Sequence, residues 1–269
     1  MIVFFRFTNK LLFVTLLGFT LHIYSVNSKE RALGYSLFSN LETDFKEFDQ
    51  TGKSLNVIAG FGITYKLNKK SSLSLRIPFL KSLTGTKDFN YLDGSLAHSY
   101  SFFSNKFGFS LSSYVGIGLP YSKNSREKNY LQTKVTISPS LNYKLKKTPE
   151  LTILLSPALT KNFHRSNTNI NGTSNNSYIL SLSGGGTYQF KDKGSFTIKS
   201  SILKLTTYGN FEKDRYNFEG NYSRLLTPKL RGSIGLSNGG EVTDYNGDLN
   251  VKIFDAQKAT FSISIFYSF

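Results

Sequence analysis

Side chains able to transfer protons or hold metals are few. The chain carries three histidines and no cysteine. That excludes a thiolate metal site, a cysteine nucleophile and a disulfide scaffold. His98 stands beside Ser99, the two residue types of a base-activated nucleophile. In extended backbone, however, neighbours point to opposite faces. The register that gathers Leu92, Leu96, Tyr100 and Phe102 on one face takes His98 with them and leaves Ser99 on the other. His164 precedes Arg165 in the polar stretch 163–176. Asp44, Asp49, Asp88, Asp93, Asp214 and Asp244 all fall near segment ends, but they form no acidic quartet around a histidine, and they read as solvated loop residues. No Walker, zinc or EF-hand spacing occurs. Gly184-Gly185-Gly186 sits inside an extended segment with no helix after it, so it reads as close backbone packing, not a phosphate cradle. These residues predict no catalytic centre, no metal and no cofactor.

A different chemistry is open to the cations. Arg76, Lys134 and Lys199 fall at mid-segment on the polar side of alternating stretches, and Lys66, Lys144 and Arg231 fall on that side near segment ends. Acids on the same side are fewer, with Glu219 and Asp93 the candidates. Fixed cations around a passage lower the electrostatic barrier to anions.

Such a passage needs walls. Leu55, Val57, Ala59, Phe61, Ile63, Tyr65 and Leu67 alternate with other residues at period two. Leu73 to Phe79, Leu131 to Tyr143 and Phe261 to Phe269 do the same, and no segment keeps a 3.6-residue period. Twelve strands are predicted, at 31–44, 54–67, 71–83, 90–103, 106–119, 129–145, 150–162, 177–190, 194–208, 215–226, 229–239 and 258–269. In the ninth, Leu203 and Leu205 fall out of phase, which predicts a β-bulge at Ser200-Ser201. Short connections (Asn68-Lys69-Lys70, Ser104-Asn105, 146–149, 191–193, Thr227-Pro228) alternate strictly with longer ones (45–53, 84–89, 120–128, 163–176, 209–214, 240–257). That alternation predicts an all-β, up-and-down antiparallel transmembrane barrel with turns at one rim, loops at the other, and both termini on the turn side.

The polar face is mostly Ser, Gly, Thr and Asn, which suits an interior; a water-facing sheet usually carries dense Lys and Glu. The apolar face therefore meets lipid. Tyr65, Phe103, Phe107, Tyr143, Tyr188 and Phe190 near the turns, and Tyr91, Phe163, Tyr208 and Tyr216 near the loops, would make its two aromatic girdles. Residues 1–28 read as a secretory signal peptide. Arg6 and Lys10 precede the apolar run Leu11–Val26, and Val26-Asn27-Ser28 supplies small residues before a cut at Lys29. The barrel is then 29–269.

The chain ends Phe261-Ser262-Ile263-Ser264-Ile265-Phe266-Tyr267-Ser268-Phe269. This resembles the last strand of Gram-negative outer-membrane β-barrel proteins. The resemblance implies that Phe261, Ile263, Ile265, Tyr267 and Phe269 form the signal read by the barrel assembly machinery. It further implies outer-membrane residence, short periplasmic turns and longer extracellular loops. Twelve-stranded members include small channels as well as lipases, proteases and a deacylase, so the resemblance alone assigns no activity. The inward cations favour a narrow porin-like channel for small polar or anionic solutes. A surface-structural or adhesive barrel acting through its loops is the alternative, and a hydrolase is the weaker third. The formal charge of +16 then reads as two collars, not as a nucleic-acid platform. Lys69, Lys70, Lys106, Lys146, Lys147, Lys191, Lys193 and Lys229 stand at the turns. Lys123, Arg126, Lys128, Lys161, Arg165, Lys213, Arg215, Lys252 and Lys258 stand at the loops. These would meet lipid headgroups and lipopolysaccharide phosphates.

Overall fold

The structure, a computed structural model, describes residues 32–46, 53–85, 88–243, 246–256 and 258–269. The expected signal peptide lies outside the described residues. The strands are β1 (Leu33–Asp44), β2 (Leu55–Asn68), β3 (Ser71–Ser82), β4 (Phe89–Tyr91), β5 (Gly94–Lys106), β6 (Phe109–Leu119), β7 (Leu131–Lys144), β8 (Leu151–His164), β9 (Asn176–Gln189), β10 (Gly194–Thr207), β11 (Glu212–Thr227), β12 (Leu230–Glu241) and β13 (Thr260–Ser268). Each pairs antiparallel with its chain neighbour, and β13 returns to pair with β1, which closes the sheet. β4 and β5 occupy successive stretches of the same β3 edge, Phe79–Lys81 and Ser71–Arg76. They are one strand interrupted at Leu92-Asp93, so the wall has 13 − 1 = 12 strands.

Closure leaves no edge to pair with other chains. It also divides every strand into an outer and an inner face. Tyr35, Leu37 and Leu41 of β1 and Phe196, Ile198 and Ile202 of β10 are exposed on the outside. Their cross-strand partners carry the same face around the barrel. Burial is slight throughout, because the apolar side chains point away from the barrel axis: among the described residues only Ala97, Leu205, Tyr216 and Ala259 are buried hydrophobics. A water-soluble sheet of this size could not leave so much apolar surface bare, and the wall is that of a transmembrane barrel.

Three local expectations are corrected. β10 pairs without a break through Ser200 and Ser201 on both sides, and its one register shift is at Thr206/Thr207. Leu203 and Leu205 therefore face inward, and Lys204 goes outward, where it binds Glu212 at 2.7 Å. The turn placed at Ser104-Asn105 lies instead at Phe107-Gly108, whose φ angles of 55° and 87° are both left-handed. Asn105 (φ 55°) takes up the slack as an irregularity in the β5 ladder. Finally, loop lengths do not alternate strictly. β11 starts at Glu212, so the connection 208–211 is shorter than the turn 145–150.

The β7–β8 seam is irregular. Pairing runs from Leu131 to Ile137, lapses where Pro139 would oppose Pro157, and resumes at Leu141. Neither proline has an N–H to give. The Ser138 hydroxyl donates to the Pro157 carbonyl and the Ser156 hydroxyl to the Pro139 carbonyl, each at 3.0 Å.

Candidate functional site in the barrel interior

The ladders fix which side chains point inward. One inward row runs Ser36, Gly62, Arg76, Ser95, Gly118, Lys134, Asn162. A second runs Leu154, Gly185, Lys199, Glu219, Ser237. Lys66 lies opposite Ser72, Lys144 opposite Thr152 and Arg231 opposite Phe266, all on the inner side near the turn rim. The backbone thus places seven of the eight expected polar-face charges, all but Asp93, on one side of the wall. Arg76 and Glu219 are exposed although they point inward, which means there is open space beside them.

Glycines make room for these side chains. A Cβ at Gly118 would collide with the methylenes of Lys134, so that lysine lies flat across β6. At Gly60 a Cβ would strike the Phe38 ring at 2.5 Å and the Ile77 carbonyl. Phe38 is an inward residue of β1, opposite Gly60 and Phe266. The Arg76 guanidinium lies 4.0 Å from its ring centroid, a cation–π contact. Gly185 in the triple-glycine stretch is closed in by the Ile198 carbonyl and Lys199 Cα, the close backbone approach expected there.

Two further inward features escaped the sequence reading. Glu42 of β1 sits opposite Asn56 and Ser262, with the Asn40 amide donating to its Oε1 at 2.5 Å. Together with Glu219 it lines a cavity of about 300 Å³ whose other walls include Asn40, Asn221, Ser237 and Ser262. At the loop rim Lys213 and Arg215, both inward, each approach Glu241 at 3.8 Å. The phase of Glu42 with Ser36 and Asn40 was the available signal.

The candidates for chemistry are dispersed. His98 lies opposite Val115 on the outer face, and its Nε2 is 2.7 Å from the Ser71 hydroxyl. His164 Nδ1 meets the Tyr208 hydroxyl at 3.4 Å, and the two rings pack edge to face. Asp93 does not serve as an inward acid: it accepts from Ser122 N and the Ser125 hydroxyl and pins the helical turn 124–128. Asp44 is held by Ser54 N and by Lys53 at 3.4 Å. Asp214 faces outward beside Lys204. Asp49 and Asp244 lie outside the described residues. Among the described residues no cluster of His, Asp and Glu could hold a metal ion.

The C-terminal strand sets Phe261, Ile263, Ile265 and Tyr267 on the outer face, while Phe266 points inward. Phe269 N donates to the Tyr35 carbonyl at 3.0 Å. Outward aromatics gather near the turn rim: Phe109 stacks on Tyr143 at 4.4 Å and Tyr188 meets Phe190 at 5.0 Å.

No protein-family model and no curated protein matches this sequence. Solved structures do match. The COG4313 outer membrane channel from Pseudomonas putida F1 superposes with a TM-score of 0.62 at 12% identity, covering 91% of this chain and 100% of that one. The NanC porin gives 0.55 at 10% identity, covering 87% and 98%. The KdgM porin gives 0.52 at 11%, covering 87% and 99%. At such identities the likeness is one of fold. The chain is a twelve-stranded antiparallel barrel that shares its fold with these outer-membrane channels and porins.

Proposed function

We propose that this protein is a narrow channel of the bacterial outer membrane, passing small polar solutes with a weak preference for anions. The observation that carries the reading is that two charged side chains at mid-wall, Arg76 and Glu219, point inward and stay exposed, and that Glu219 lines a polar cavity of about 300 Å³. A barrel plugged by its own side chains would bury and pair them. At mid-wall the inward cations Arg76, Lys134 and Lys199 face the acids Glu42 and Glu219, a surplus of 3 − 2 = +1. Lys66, Lys144 and Arg231 add to it at the turn rim. The anion preference is therefore modest.

In this reading the barrel has no catalytic residues: among the described residues His98, His164, Asp44 and Asp93 are committed to separate contacts. The outer-face residues of β13 together with Phe269 act in assembly. The basic turns and loops contact anionic lipid headgroups and lipopolysaccharide.

Planar-bilayer recordings on the refolded protein test the channel. Discrete conductance steps with a reversal potential favouring chloride over potassium are expected. Arg76→Glu should move that potential toward cation preference. A folded protein with no conductance steps overturns the channel, and cation preference in the unaltered protein overturns its anionic form.

A further inference from the structure

The longest described connection, between β12 and β13, first folds back on the end of β12, with Asn250 N donating to the Val242 carbonyl at 2.8 Å and Leu249 bridged to Thr243, and then crosses the outer wall. Its backbone at Lys252 donates to the Tyr216 hydroxyl at 3.0 Å and accepts from the Asn238 side-chain amide at 2.6 Å. Both partners belong to the outer wall: Tyr216 pairs with the outward Ile202, and Asn238 with Phe218. The loop therefore lies against the lipid-facing surface, and it leaves Tyr216 4% and Asn238 3% exposed. It continues across the top of the short β13 to β1, where Phe254 meets Phe45 edge to face at 5.7 Å.

The wall explains the position. β13 begins only at Thr260, opposite Ser237, whereas β12 runs on to Glu241. Above Ser237 that edge of β12 has no strand neighbour. An outward asparagine there would present an amide to hydrocarbon, which is costly. The Lys252 carbonyl takes one amide proton and the loop covers the site, with Asn238 Oδ1 buried beneath it and without a hydrogen bond.

From 249 to 254 most of the exposed side chains are apolar. Leu249 is 78% and Ile253 79% exposed, and Val251 and Phe254 are exposed with them. Lys252, whose Nζ lies 3.8 Å from Asp255 Oδ2, interrupts this run, and the exposed Asp248 and Lys258 flank it. Apolar residues interleaved with cations, held against a lipid-facing wall, suit the boundary between acyl chains and anionic headgroups. We propose that residues 249–254 form an outer-leaflet anchor: Leu249, Val251, Ile253 and Phe254 enter the acyl region of the loop-side leaflet, while Lys258 and the Lys252–Asp255 pair lie at its headgroups. The apolar surface is continuous with the barrel's own lipid-facing band, which makes lipid its occupant.

The absence of tryptophan makes the test direct. Ile253→Trp supplies a lone fluorophore in protein refolded into phosphatidylcholine vesicles, with heat-modifiable gel migration reporting the fold. Ile198→Trp on the wall and free N-acetyltryptophanamide set the lipid and water limits. The expected result is emission blue-shifted toward the Ile198→Trp value, strong quenching when the lipids carry brominated chains, and little quenching by iodide. Water-like emission quenched by iodide overturns the anchor. Shielding from both quenchers also overturns it, because the segment would then be covered by protein. If Ile253→Trp does not fold, Leu249→Trp gives the same readout.

Discussion

At the level of single residues, the interior is arranged by what glycine leaves out. Phe38 lies over Gly60 and the Lys134 methylenes over Gly118 because neither glycine has a Cβ. A β-branched side chain at Gly60 must displace the ring that the Arg76 guanidinium rests on. Gly60→Val should therefore destabilise the barrel by about 1–3 kcal/mol, lowering the urea midpoint read by gel migration. The same change frees Arg76 from its aromatic support, so the reversal potential measured in bilayers should shift with it. The period-two phase read from the sequence was enough to place Arg76, Lys134, Lys199 and Glu219 on one side. It set Phe266 on that side too, in step with Ser262 and Ser264, but it was not enough to show that Phe38 faces inward. Apolar residues on a polar face look like phase errors until the ladder fixes their partners. For the same reason Leu203 and Leu205 suggested a bulge that the β9–β10–β11 pairing does not contain.

At the level of elements, strands were more legible than their connections. Alternation is a property of each segment by itself, so all twelve wall strands could be found from it. Turn position depends on backbone dihedral angles that composition hides. Phe107 holds φ at 55° with no glycine's freedom, and a bulky residue there is strained by about 1–3 kcal/mol. Phe107→Asn would give the Asn-Gly pair that suits left-handed two-residue hairpin turns. It should raise the urea midpoint by an amount equivalent to about 1 kcal/mol; an unchanged or lower midpoint would show that the ring's place in the turn-side aromatic girdle matters more. The β12–β13 connection was legible only as long and polar-flanked. Its contact with the outer wall follows from β13 starting late, and nothing in the spacing of 240–257 announces that.

For the whole molecule, charge follows the geometry of a tube. Lysines crowd the turns at 69–70, 146–147 and 191–193, and the wall between is apolar outside and hydroxyl-rich inside. Inward charges are spread over several strands, so in the proposed channel selectivity would arise from their summed field. Such a field is screened as the Debye length falls from about 10 Å at 0.1 M salt to about 3 Å at 1 M. Anion preference should weaken steadily over that range of potassium chloride, as read from reversal potentials. Preference independent of salt would point instead to a close-fitting site. The opposed prolines of β7 and β8 give this tube a mechanical character of its own. Elsewhere each rung of the ladder holds two strands at a set spacing; at Pro139 and Pro157 the rungs are replaced by serine hydroxyls, which can swing. A cylinder with one soft seam does not yield evenly when squeezed. It would crease first at that seam, so in the proposed channel lateral pressure from the bilayer would act on the passage through that side of the wall.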